Sequence, residues 1–219
     1  MDSTLITFAS EVEFSSLYPN IKFESVDRKI VSIGKNTFVS VLGVGLVNYG
    51  ANLARILVEN HFGSVIILGI CGAYSESGLS IGEMVRVDTE TVGDLGVQEC
   101  DGSFVPWRAI NNTQSDFYSA SPLDRAPEVV QKLKGVSGLS VNCCTGTESM
   151  ASMRYRLFGA DVESMEGAAG FAVCNALKIS VYQVRVVSNV ASTRDLTRWE
   201  VASALKILKT QFLDRWDPS

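Results

Sequence analysis

Two hydrophobic periods alternate along the chain. Continuous or alternating apolar runs over 5–8, 30–33, 37–42, 65–68, 84–91 and 180–187 predict strands, and another is expected near 137–143. Gly34-Lys35-Asn36 separates the second and third runs as a hairpin turn. Residues 65–68 are apolar at every position, as in a central strand covered on both faces. By contrast, 84–91 sets Val85 and Val87 against Arg86, Asp88 and Glu90, which predicts a strand with one face in water.

The helical period is clearest over 46–60. There Val47, Ala51, Ala54 and Val58 step by four, three and four, giving one face of a helix that Gly63 would close. Helices are also predicted near 126–134, 148–158 and 166–176. Thr197-Arg198-Trp199-Glu200 has the spacing of a capping box in front of a last amphipathic helix. Residues 97–125 are rich in turn formers and give no clear period. The alternation predicts one α/β domain over 1–219, a mixed central β-sheet flanked by helices.

Composition narrows the function classes. A chain of 219 residues buries about 70% of its unfolded surface and needs no disulfide or metal staple. The net charge of −5 and the lack of a Lys/Arg cluster argue against nucleic acid as a partner. No apolar run approaches the ~18 residues of a membrane helix, and Met1-Asp2-Ser3-Thr4 lacks a basic leader, so no membrane association is expected. Five cysteines without a C-x-x-C pair point to a reduced, cytoplasmic protein without a metal site. His61 is the one histidine, and it stands where a helix C-terminus would draw it to the dipole. Chemistry is left to carboxylates and amides.

Four segments could carry that chemistry. Gly43-Val44-Gly45 links a strand to a helix, but Asn48 replaces the third glycine of a dinucleotide fingerprint, so no nicotinamide cofactor is expected. Gly69-Ile70-Cys71-Gly72 ends the buried strand, either as a plain terminator or where α/β sheets hold ligands. In Glu163-Ser164-Met165-Glu166-Gly167, a carboxylate at the first turn of a helix could accept from two vicinal hydroxyls beside an apolar Met165. It could equally be a first-turn glutamate answering the dipole. Arg185-Val186-Val187-Ser188-Asn189 runs off a strand into polar residues, where Asn189 could cap the chain or address a ligand.

Taken in order, these segments resemble the purine nucleoside phosphorylase/nucleosidase superfamily across essentially the whole chain. Ala9-x-x-x-Glu13 resembles its water-positioning segment, Gly43-x-Gly45 and Gly69-x-x-Gly72 its glycine turns, Met165-Glu166 its ribose clamp, and Arg185-x-x-Ser188-Asn189 its Arg-x-x-Ser-Asp strand end. The resemblance implies a nucleoside phosphorylase-like fold, a small nucleoside as substrate, no cofactor, and a homodimer in which part of 97–125 completes the neighbour's site. Glu13 and Asn189 would be catalytic; Glu166, Met165, Ser188, Ile70 and Gly72 would bind substrate.

Two departures sharpen the expectation. Where the superfamily's phosphorylases carry an arginine and a hydroxyl for phosphate, the matching positions are Ile67 and Ile70. A phosphate buried without a charge partner costs several kcal/mol. Water is then the expected nucleophile, in a pocket with no cationic anchor. Asn189 replaces the aspartate of adenine-directed nucleosidases. Its two amide hydrogens could bridge a purine nitrogen and a six-position oxygen, which suits hypoxanthine.

Within the superfamily, Glu90-x3-Asp94-x-Gly96, Glu163–Ala169 and Ser188-Asn189-x4-Arg194-Asp195-x3-Trp199 most resemble the futalosine hydrolases. That resemblance implies release of hypoxanthine from futalosine. Arg194 or Arg154 would grip the carboxylate of the substrate's tail, and Asp195 could supply a proton to the leaving base. Methylthioadenosine/adenosylhomocysteine or 6-amino-6-deoxyfutalosine nucleosidase, phosphorylase and non-catalytic nucleoside binder stand as alternatives.

Overall fold

The computed structural model describes residues 3–21, 30–111 and 116–216. Its main sheet combines β1 (Thr4–Phe8), β2 (Val31–Gly34), β3 (Thr37–Val41), β4 (Ser64–Ala73) and β5 (Met84–Val92) with β8 (Phe117–Ser119), β9 (Lys134–Ser140), β10 (Val162–Ser164) and β11 (Ser180–Val190). A separate hairpin, β6 (Gly96–Gln98) and β7 (Phe104–Pro106), fills part of the turn-rich region. The helices are α1 (Glu11–Leu17), α2 (Leu46–Glu59), α3 (Trp107–Ile110), α4 (Glu128–Gln131), α5 (Glu148–Phe158), α6 (Gly167–Leu177) and α7 (Val201–Ile207).

Strand order is β10-β9-β5-β11-β4-β1-β3-β2, with β8 beside β5. Pairing is mixed: β4 lies parallel to β1 and β11, while β5 runs antiparallel to β11. β10 pairs with β9 and also, antiparallel, with β4, so five strands close into a ring. The predicted hairpin forms, with Asn36 at φ 61° in its turn.

The continuous apolar run of β4 is covered on both sides. Ile66 and Leu68 join Phe14 and Leu17 of α1 and Ala204 of α7 on one face. Val65 and Ile67 pack with Tyr49, Leu53 and Ile56 of α2 and Phe171 of α6 on the other. Each such side chain withdrawn from water contributes about 1.5–3 kcal/mol.

The structure corrects several local expectations. Helix α2 forms, but its buried stripe is Tyr49, Leu53, Ile56 and Leu57, whereas Val47 and Val58 are exposed. Two apolar stripes compete on this helix, and the larger side chains remove more surface from water. β4 does not stop at Gly69. It runs to Ala73, its last residues held by β10 and β11. Glu90 is fully buried rather than wet. The β5–β9 register slips between Val87 and Thr89, and an extra residue in a strand reverses which face the next side chains take.

At the C-terminal end, Thr197 and Glu200 form no capping box. Asp195 accepts from Thr197 N at 3.0 Å over a short turn, and Glu200 N donates to Ser188 O at 2.8 Å. The helix expected near 126–134 is a single turn, α4, and the strand expected near 137–143 lies at Lys134–Ser140. Helix α2 closes at Glu59, ahead of Gly63, and His61 is exposed beyond it.

Candidate active site

The C-terminal ends of β1, β4 and β11 open onto a cavity of about 260 Å³, the position at which parallel sheets receive ligands. Glu13, Ile70, Gly72, Met165, Glu166, Ser188 and Asn189 all line it, so the seven residues singled out in the sequence are brought together. Ile67 does not take part. Its side chain lies on the other face of β4, against Gly170 of α6.

Glu13 is placed by a capping box at the start of α1. Ser10 is the N-cap, its side chain accepts from Glu13 N, and Glu13 Oε2 accepts from Ser10 N at 3.0 Å. One carboxylate oxygen is thereby spent on the helix. The other, Oε1, lies over Gly69 beside the guanidinium of Arg185, where an added Cβ would come within 2.7 Å of it. The glycine is needed there because both charged heads press on the strand backbone. Burial raises the Glu13 pKa, with Arg185 opposing and Glu166 adding to the rise.

Glu166 is the N-cap of α6 but caps nothing with its side chain. Its Oε1 accepts from Gly45 N at 3.3 Å and its Oε2 from Arg185 Nη2 at 3.4 Å. Gly45 has φ 88°, a left-handed backbone that turns its N–H toward the carboxylate and opens α2. The first glycine turn thus addresses a side chain of the protein.

Ser188 and Asn189 reach the same cavity because of a bulge. The β11–β4 register slips between Val187 and Asn189, which lets two successive residues serve one side of the strand. Ser188 Oγ donates to Asn189 Oδ1 at 2.8 Å, and Asn189 Nδ2 donates to Val190 O at 3.1 Å. This fixes the amide's orientation and leaves one of its two hydrogens, not both, for a ligand. Bridging two purine atoms with both hydrogens is therefore not available in this arrangement.

The expectation of a cavity without a cation is also corrected. Arg185 lines it, 2% exposed, and donates to Ile70 O at 3.2 Å as well as to Glu166. Burial works against its charge, but Glu166 and Glu13 outweigh that, and its pKa lies above the usual arginine value. The guanidinium is matched by carboxylates of the protein, so it is not a free anchor for an inorganic anion.

Three further expectations fail. Arg154 is buried and spent on Glu163, at 3.0 Å, and on the Cys143 carbonyl at 2.7 Å. Arg194 is exposed and does not line the cavity. Asp195 caps a turn, and its hydrogen bonds from Thr197 hold its carboxyl below the usual range, which makes it a poor proton donor.

The Phosphorylase superfamily model matches residues 7–213. The chain belongs to this superfamily. Futalosine hydrolase of Thermus thermophilus is 33% identical over 172 residues, 76% of this chain and 75% of the relative. Among solved structures, a futalosine hydrolase mutant of Helicobacter pylori aligns with TM-score 0.75 at 18% identity, covering 99% of this chain and 100% of that one. A methylthioadenosine/S-adenosylhomocysteine nucleosidase from Neisseria meningitidis in complex with methylthio-immucillin-A aligns with TM-score 0.73 at 20% identity, covering 96% of each chain. These structural likenesses show the shared fold, and the superfamily with its sequence relative makes this chain an N-glycosyl hydrolase.

Some site residues of this superfamily member carry little or no signal in the sequence. Ser10-x-x-Glu13 was legible as a capping box. Asp94 enters the sequence pattern only through the resemblance, yet its Oδ2 accepts from Asn142 N at 2.6 Å and Cys143 N at 3.1 Å, while Asn142 Oδ1 accepts from Leu46 N at 3.3 Å. That chain ties the 142–145 loop to the glycine turn. No local signal announces it.

Proposed function

We propose that this hydrolase cleaves the N-ribosidic bond of futalosine, releasing hypoxanthine and dehypoxanthine futalosine, a step of the alternative route to menaquinone. The observation that carries the reading is the convergence of Glu13, Glu166 and Asn189 on one cavity whose lining guanidinium is already matched by carboxylates. Glu13 Oε1 takes a proton from water as the water oxygen bonds to the anomeric carbon, and the carbon–nitrogen bond to the purine breaks. Positive charge grows on the sugar, as in glycoside hydrolysis. Glu166 accepts from the ribose hydroxyls, Met165 packs on the sugar, and the free Asn189 hydrogen supports the departing base, whose proton comes from solvent.

A second reading has its own support. With one amide hydrogen left, Asn189 can serve an adenine as well as a hypoxanthine, so 6-amino-6-deoxyfutalosine or methylthioadenosine stays open. Product chromatography on futalosine and these two nucleosides decides. Hypoxanthine release from futalosine at least about tenfold faster than adenine release from the others supports the first reading; the reverse order removes it. Asn189→Asp is expected to move the preference toward adenine nucleosides, and unchanged preference would refute the role of the amide.

The enzyme is further proposed to work as a cytoplasmic homodimer. Val47 and Val58, along the outer side of α2, are 78% and 73% exposed, Val44 in the turn before it is 47% exposed, and all five cysteines are free. Among the described residues no helix is long and apolar enough to cross a membrane.

A further inference from the structure

Glu90 is a buried acid to which the mechanism above gives no task. It is 0% exposed, lies beneath the first turn of α6, and forms no ion pair with a cation among the described residues. Its bonds come from neutral groups: Gln183 Nε2 donates to Oε1 at 2.7 Å and Ser140 Oγ donates to Oε2 at 2.9 Å. The same Ser140 Oγ accepts from Ala168 N at 2.8 Å, two residues beyond Glu166. Gly167 packs so closely on Glu90 Oε1 that a Cβ would collide with it. The carboxyl group thus underpins the backbone that carries Glu166.

The charges around it are uneven. Arg185 on β11 and Glu166 at the start of α6 act on Glu90 through space, and Glu13 shares the same guanidinium. Cys71 on β4, its thiol pushed up to about 12 by burial, stays neutral, and Tyr118 stands opposite Glu90 in the β5–β8 pairing. Three ionised carboxylates around one guanidinium would leave two uncompensated charges in the interior, which is costly. Glu166 has the ion pair with Arg185, and Glu13 has the cap bonds and the guanidinium beside it. Glu90 has neither.

We propose that Glu90 is a positioning residue that holds Glu166 through Ser140 and the first turn of α6, works as the neutral, protonated acid, and switches activity down when it ionises. Burial pushes its carboxyl up to about 7, with Gln183 and Ser140 opposing. Ionisation sets a second negative charge behind Glu166, which competes for Arg185 and loosens the ribose grip. The inference rests on the role given to Glu166 above.

The test is the pH profile of kcat/KM on futalosine, together with the infrared carbonyl stretch of protonated carboxyl groups. Wild type is expected to lose activity about tenfold per pH unit above the Glu90 midpoint. Glu90→Gln, a neutral isostere, keeps the acid-side activity and loses that alkaline fall. Ser140→Ala breaks the link to Ala168 and removes a donor that favours the ionised form, so it lowers acid-side activity and moves the fall to higher pH, which keeps the proposal testable if Glu90→Gln does not fold. An infrared band that titrates near neutrality should be absent from Glu90→Gln and present in Glu13→Gln. An alkaline limb unchanged in both variants, folded Glu90→Gln inactive at every pH, or no such band would each overturn the proposal. Wild-type activity in Glu166→Gln would instead overturn the reading of Glu166 while the infrared titration of Glu90 still stood.

Discussion

Glu163 and Glu166 stand three residues apart, both buried on the cavity wall and both paired with a buried arginine, but their surroundings differ. Glu163 receives Thr145 N at 2.7 Å, Thr145 Oγ1 at 2.6 Å, Tyr74 Oη at 2.5 Å and Arg154 Nη1 at 3.0 Å. Among the described residues Glu166 receives only Gly45 N at 3.3 Å and Arg185 at 3.4 Å, and Arg185 Nε has no partner. A carboxylate with four donors, three of them on Oε2, is largely saturated and acts as a strut for the 142–145 loop. One with two long donors keeps lone pairs for a ligand. The difference separates structure from function within a single tetrapeptide, Glu163-Ser164-Met165-Glu166.

Substitutions can break that contrast. The largest effect is expected from Glu13→Gln, on the acid that faces the under-satisfied pair. Loss of a general base lowers kcat by about 10²–10⁴ with KM nearly unchanged. Because the wild-type carboxyl is raised by burial, its acid-side loss of activity should lie at higher pH than for an ordinary glutamate. Steady-state kinetics across pH measures both, and an active Glu13→Gln enzyme removes Glu13 from the mechanism.

Next in size, Arg154→Met strands the Glu163 charge and is expected to cost about 3–5 kcal/mol of stability, read by urea denaturation. A loss under about 1 kcal/mol, the range of an exposed pair, would show that the saturated pair is not a strut. Glu166→Gln should lower kcat/KM by about 10–100-fold, since a hydrogen bond to a charged group contributes roughly 1.5–3 kcal/mol. Its cost in stability should be well below that of Arg154→Met. Equal costs would erase the distinction between the two pairs.

How legible this was depends on the range of the interaction. The hairpin at Gly34-Lys35-Asn36, α5 and α6 come from local periods and turn chemistry, Glu166 and Asn189 from short motifs, and Glu13 only from the resemblance to the superfamily. The buried side of α2 is not legible in the sequence because two apolar stripes share the helix and only the sheet beneath chooses between them. The burial of Glu90 is not legible there either, because a one-residue slip in β5 changes the phase of the strand without changing its composition.

The sequence by itself determined the α/β alternation, the supply of carboxylates and amides, and the scarcity of histidine, because these depend on residue identity and near-neighbour spacing. Tertiary structure alone decided that Arg185 sits among three acids, that Arg154 is spent, and that Asn189 has one hydrogen to give. Those outcomes turn on distances between side chains more than a hundred residues apart in some cases, and on burial, which sets the strength of every charge in the cavity.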